Sequence, residues 1–199
     1  MSPTPSAGER PLLVVGLGNP GPRYADHRHN VGAMVLQELL AECGGGLRRH
    51  KAAQALVAEV RLGEGGGGLP GPRAVLAQPT TYMNDAGGPV VGLAKFYSLR
   101  PADVVVLHDD LELPFGEVRL KVGGGEGGHN GLRSVSKALK TRDYGRIRVG
   151  IGRPPGRMEV ADYVLKPFST AERRDLPFVA QEAVRAVNEL ASARGGPAP

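Results

Sequence analysis

The stretch VVGLGNPGPRYADHRHNVG, residues 14–32, decides how the chain is to be read. It opens with Gly16, Gly18 and Gly21 in the spacing G-x-G-x-x-G and closes on a crowd of His and Asn side chains. A dinucleotide fingerprint needs its third glycine to start a helix at once, with an acidic residue about 20 positions later ending the next strand. Neither condition holds. Pro20 and Pro22 flank Gly21, mostly polar residues follow, and the region around residue 41 has helical rather than strand patterning. The glycines instead let a turn carry Asn19 at the carboxyl end of a strand, where open α/β sheets place their ligands.

Working outward, PLLVVGLG (11–18) is a nearly continuous apolar run that suits a strand buried on both faces. Asn30 is placed to N-cap a helix over 31–43, in which Val31, Met34, Val35 and Leu39 recur at helical spacing before GGG stops it. QALVAEVRL (54–62) and RAVLAQP (73–79) read as strands around a glycine- and proline-rich surface connection. A helix is expected within 85–99, a buried strand over DVVVLHDD (103–110), and a more polar strand running into the glycine loop of GEVRLKVGGGEGGHNG (116–131). LRSVSKALK (132–140) reads as helix and GRIRVGIG (145–152) as strand. A last helical region spans 169–193, with a break expected near Pro177. Strands interleaved with helices predict an α/β fold, a three-layer α/β/α single domain with a central mixed, largely parallel twisted sheet. The catalytic domain is expected over 10–193, with disordered segments at 1–9 and 194–199.

Composition sets the bounds. With 199 residues and 41% hydrophobic content, the chain can bury one sizeable core. The single cysteine, Cys43, excludes an internal disulfide and a cysteine-based zinc site, and its place at the end of an apolar helical run predicts burial. No run of about 18 apolar residues occurs, and the start MSPTPSAGER lacks a secretory apolar region, so a soluble, cytoplasmic protein without a membrane partner is expected.

Other polar residues share the setting of Asn19: His29 and Asn30 before the first helix, Asn84 in TTYMNDAGG, Asp109 in LHDDLELP, His129 and Asn130 in GGGEGGHNG. Each sits at a strand end or helix start. An isolated asparagine there is a cap or turn former. Together they make an amide-rich His/Asp set with no serine or cysteine in a nucleophile-elbow context, which fits activated water better than covalent catalysis.

These blocks, VGLGNPGPRYADHRHNVG, PTTYMNDAG, HDDLELPFG and GGGEGGHNGLRS, resemble the signatures of bacterial peptidyl-tRNA hydrolases over roughly residues 11–190. The resemblance implies a monomeric hydrolase that cleaves the ester between a peptide and the 3′ ribose of tRNA, with no metal and no organic cofactor. It makes His29 the catalytic base and Asp109 the carboxylate that orients it. Asn19 and Asn84 become substrate-positioning amides, and Asn130 helps to place peptide and water. His129 is a further substrate-side candidate that has a simpler use as a brace for the glycine loop, while Tyr24 and Met83 shape the cleft wall. Glu126 within the glycine loop departs from the usual pattern, and Asp110 and Glu112 crowd acid around Asp109. The glycine-rich insertion at 65–72 lies outside the motifs.

Charge adds the nucleic-acid side. Residues 133–148 hold Arg133, Lys137, Lys140, Arg142, Arg146 and Arg148 against one acid, Asp143, a local excess equal to the +5 of the whole chain. Arg133, Lys137 and Lys140 share one helical face opposite Leu132, Val135 and Leu139. That face is either a solvated surface or a phosphate contact. The resemblance assigns Lys121 and Arg148 to a clamp on the tRNA 5′ phosphate, Arg133 and Lys137 to the acceptor-stem path, and Arg119 to a secondary contact. LRRHK (47–51) has a sufficient explanation in the dipole of the preceding helix. Two rival classes stay open. A metal hydrolase would use His27 and His29 with His108, Asp109 or His129, and a non-catalytic RNA-binding protein would explain the basic helix alone.

Overall fold

The computed structural model describes residues 10–63 and 70–195. The segment expected to be disordered at 1–9, most of the 65–72 insertion and the end of the 194–199 tail lie outside the described residues.

Seven strands form one sheet in the order β2-β3-β4-β1-β5-β7-β6. Its centre is parallel: β1 (Leu12–Gly16) lies between β4 (Arg73–Pro79) and β5 (Val104–Asp110), and β5 pairs with β7 (Gly145–Gly150). The flanks are antiparallel, with β2 (Arg48–Arg49) on β3 (Ala55–Arg61), β3 on β4, and β6 (Val118–Val122) on β7. The sheet is therefore mixed, with its parallel pairings confined to the apolar centre.

Helices cover both faces, giving three layers. On one side α1 (Val31–Glu42) and α5 (Thr170–Gly195) bury Val35, Leu36, Leu39, Ala183, Val184 and Val187 against Val14, Leu76 and Leu107. On the other, α2 (Gly87–Phe96) and α3 (Asn130–Leu139) bury Val90, Leu93, Leu132 and Val135 against Leu13, Val15, Val75 and Val106. The alternation of β1 between the two clusters is the period-two geometry of a strand covered on both faces. Two of the glycine contacts that leave no room for a side chain bear on the site and its neighbouring layer. A Cβ on Gly32 would stand 2.1 Å from the Leu107 carbonyl oxygen, and one on Gly87 2.1 Å from that of Ser134. The first presses the start of α1 onto the ends of β1 and β5, beside His29, and the second locks α2 to α3.

Several expectations need correction. Asn30 occupies the N-cap position of α1 but its side chain makes no capping bond; it reaches to Asn19 instead. Pro177 lies inside α5 without breaking it, because Val179, Ala180, Ala183, Val184 and Val187 dock on the core on its C-terminal side. The helix also passes the boundary expected at 193: Arg194 pairs with fully buried Asp103. Cys43 is only half-buried, its Sγ 3.6 Å from the Arg61 carbonyl oxygen. Arg48 and Arg49 of the LRRHK segment form edge strand β2 rather than a helix-terminal cluster. The short helix α4 (Val160–Val164) was not expected from the sequence.

Candidate active site

The carboxyl ends of β1, β4 and β5 open at one edge of the parallel centre, and the loops that follow them bring the expected residues together. Asn19 lies after β1, Met83 and Asn84 after β4, and Asp109 near the end of β5. His29 sits in the last turn before α1, and His129 and Asn130 mark the start of α3.

Asp109 is the hub. It is 4% exposed, and its Oδ1 lies 2.8 Å from His29 Nδ1 and 2.9 Å from His129 Nε2. Burial would raise its pKa, but the charges and hydrogen bonds of His29 and His129 hold it well below the usual carboxylate range. Both histidine tautomers follow. His129 accepts the Leu132 N–H on Nδ1 as the N-cap of α3, so its Nε2 carries the proton given to Asp109. His29 donates to the same carboxylate through Nδ1, which leaves the lone pair on its Nε2 able to accept a proton. Burial lowers the pKa of His29, but the Asp109 charge and hydrogen bond more than offset it, so the net shift is upward from 6.5. His129, with both nitrogens engaged, braces the glycine loop and Asp109 and has no free lone pair for water.

The amide side is equally constrained. Asn19 Oδ1 accepts the Met83 N–H at 2.8 Å, which fixes the amide so that Nδ2 is the free end. Asn30 grips the Asn19 backbone from both sides, accepting its N–H at 2.9 Å and donating to its carbonyl at 3.0 Å. Asn19, His29, Met83, Asn84 and Asn130 line one cavity of about 300 Å³, whose far wall is Ala161, Val164 and Leu165. Asn84 and Asn130 are exposed and have no side-chain partner among the described residues.

The structure adds residues that the sequence reading missed. Tyr82, 59% exposed, lines the cavity. Tyr24 does not line it; its ring stands edge-on behind Tyr82 at 6.2 Å. The signal for Tyr82 was its place in TTYMND beside Met83 and Asn84. The α4 wall left no signal, since a five-residue helix is too short for periodicity to mark. Arg28, buried beside His29, donates to the Pro167 carbonyl at 2.7 Å, pairs with Glu172 and stacks on Tyr163, tying the His29 turn to the segment that carries that wall.

The groove continues past Tyr82, Asn84 and Asn130 into a wider trough of about 1090 Å³ lined by Arg133, Lys137 and Lys140. Arg119 and Arg148 face each other across β6 and β7, and Lys121 lies two residues on, along the same side of β6. Two members of the basic segment are committed internally. Arg146, 2% exposed, donates to the Gly124 and Gly125 carbonyls and holds the glycine loop, and Arg142 pairs with Glu126. Asp110 and Glu112 do not compete for His29: they pair with Arg148 and Arg153.

His29, Asp109 and His129 are the cluster among the described residues with donor atoms close enough for a metal, within 4.8 Å of one another. Their wiring opposes ligation. A neutral imidazole bound through Nε2 carries its proton on Nδ1, where His129 meets the Leu132 N–H. The H-x-H pair does not converge either, since the His27 ring packs edge-on against Tyr24. His108, fully buried and lowered to about 3 by burial and then by His129, stays neutral.

A parallel-centred α/β fold with a carboxylate-held imidazole and a fixed amide donor at its strand ends defines a hydrolase of the activated-water class. The peptidyl-tRNA hydrolase family profile matches residues 13–196. The chain is 61% identical over 178 residues to a peptidyl-tRNA hydrolase of Kineococcus radiotolerans, and 59% identical over 178 residues to that of Paenarthrobacter aurescens, each alignment covering 89% of both chains. The crystal structure of peptidyl-tRNA hydrolase from Acinetobacter baumannii superposes with a TM-score of 0.82 at 32% identity, covering 96% of this chain and 92% of that one. The chain belongs to the peptidyl-tRNA hydrolase family.

Proposed function

We propose that the chain, as a monomer built on a single domain that runs from residue 10 to the end of α5, hydrolyses the ester between a peptide and the 3′ ribose of tRNA without a metal. The observation that carries this reading is the pairing of a free His29 Nε2, set by Asp109 on Nδ1, with the Asn19 Nδ2 fixed by Met83, in one cavity. Water hydrogen-bonded to Nε2 gives up its proton as its oxygen bonds to the ester carbon. The carbonyl electrons move to oxygen, where the Asn19 N–H donates to the oxyanion. Collapse breaks the bond to the ribose oxygen, which takes the proton back from Nε2 as it leaves. Asn84 and Asn130 offer amide acceptors to peptide N–H groups and donors to its carbonyls.

The trough beside Asn84 and Asn130 leads the acceptor end past Arg133 and Lys137, and Lys121 with Arg148 and, secondarily, Arg119 receive the 5′ phosphate. No helix among the described residues is long and apolar enough to cross a membrane, and the place of work is the cytoplasm, where tRNA is charged and used. Incubating purified protein with N-blocked aminoacyl-tRNA and its free-amine form, with and without chelator, tests the reading. Chelator-insensitive cleavage of the blocked ester is expected. RNA binding without cleavage favours the non-catalytic class, and activity lost to chelator and restored by metal favours the metal class.

A further inference from the structure

Four basic residues share the face where the 5′ phosphate is placed, and they differ in what already holds them. Arg146 is buried on loop carbonyls, and Arg119 pairs with Glu117. Lys121 has no ion-pair partner among the described residues and lies over the glycine loop, within 2.8 Å of where a Gly124 Cβ would stand. Arg148 is gripped from one edge: its Nε donates to Asp110 Oδ2 at 2.7 Å, and its two terminal nitrogens have no partner among the described residues. Asp110 is itself fixed, because its other oxygen accepts the Glu112 N–H at 2.9 Å and it ends β5 beside β7.

A guanidinium has two edges able to meet an oxyanion, and a carboxylate on Nε leaves the other, with both terminal N–H groups, turned outward. We propose that Asp110 is a positioning residue for phosphate recognition: it fixes the Arg148 fork so that its outer edge meets the terminal phosphate monoester of tRNA. The inference rests on the clamp reading above. It divides the work on this face. The Arg148–Asp110 pair is net neutral and supplies geometry, whereas Lys121 supplies the unneutralised charge that draws the dianion and responds to salt. Simple electrostatics gives the opposite sign for Asp110, since removing an acid from an anion site tightens binding when the acid acts only by repulsion.

The test is hydrolysis of N-acetyl-aminoacyl-tRNA with and without its 5′ phosphate by wild type, Arg148→Ala, Asp110→Asn, Asp110→Ser and Asp110→Glu. Arg148→Ala should reduce the KM preference for the phosphorylated substrate by roughly tenfold, the loss expected for a charged hydrogen bond. Asp110→Asn and Asp110→Ser should reduce it in the same direction by about threefold, and Asp110→Glu should restore most of it. In the Asp110 variants the kcat on dephosphorylated substrate and the acid limb of the pH profile should stay at wild-type values, which a general disturbance of β5 and its neighbour Asp109 would move. If Arg148→Ala loses the preference while Asp110→Asn keeps or increases it, the positioning role is wrong and the clamp stands. If Arg148→Ala keeps the preference, the clamp reading falls and this inference with it. Should Asp110→Asn fold poorly, the Ser and Glu variants read the same ratio.

Discussion

The two sides of α3 work by different physics. At its start, His129 is almost buried, caps the helix and shares Asp109 Oδ1 with His29, so each donor has one fixed acceptor. Along its outer side, Arg133, Lys137 and Lys140 stand exposed, with no ion pair among the described residues. Buried polar groups are costly to leave unpaired, which makes the first region rigid and intolerant of change. Exposed cations act through screened, roughly additive attraction, so the second region tolerates single losses. On the proposed function, catalysis depends on which atom carries a proton, and RNA attraction on how many charges face the groove.

The sharpest way to break this contrast is His29→Ala. Turnover should fall by about two to four orders of magnitude, the usual worth of a positioned base, with tRNA affinity measured by filter binding unchanged. A variant with near-normal kcat removes His29 from the base role. Asn19→Ala comes next, with a loss in kcat of about two orders of magnitude expected for a fixed oxyanion donor. An effect confined to KM places Asn19 in ground-state binding instead.

Asp109→Asn separates charge from orientation. Both histidines donate to one oxygen, so an asparagine oxygen can accept from both and preserve their tautomers. What is lost is the charge that lifts His29. In the wild type, turnover should fall as pH drops through a His29 value above 6.5, because the protonated ring cannot accept from water. In the variant, burial is no longer offset by that charge, so the acid limb should move to lower pH, with a roughly tenfold lower plateau as the imidazolium loses its counter-charge. A pH–rate profile at saturating substrate distinguishes the two. A limb that stays in place assigns the titration to another group. The smallest effects belong to Lys137→Ala and Arg133→Ala. Each should raise KM a few-fold at unchanged kcat and flatten the dependence of log affinity on log salt by about one unit. An unchanged slope returns that residue to the solvated surface.

Much of this architecture was legible in the sequence where burial is two-sided. The strands over 11–18, 73–79 and 103–110 are largely apolar runs bounded by turn residues, and their carboxyl ends mark the site. What stayed hidden depended on contacts far along the chain. Asn30 reads as a cap from its neighbours, but the competing acceptor and donor on Asn19 take its side chain. The proline at 177 reads as a break, but the packing of Val179, Ala180 and Ala183 beyond it carries the helix through. The basic segment reads as uniform charge, although Arg146 is a buried strut and Arg142 is matched by Glu126. Net charge does not distinguish a cation facing RNA from one inside the fold.

One consequence of the His129 cap reaches beyond the static site. The same ring closes the first turn of α3 and presses a proton on Asp109, while the helix carries the basic side that meets the groove. One imidazole thus joins the frame of α3 to the carboxylate beside His29, so a change that displaces the start of the helix takes a hydrogen bond from Asp109.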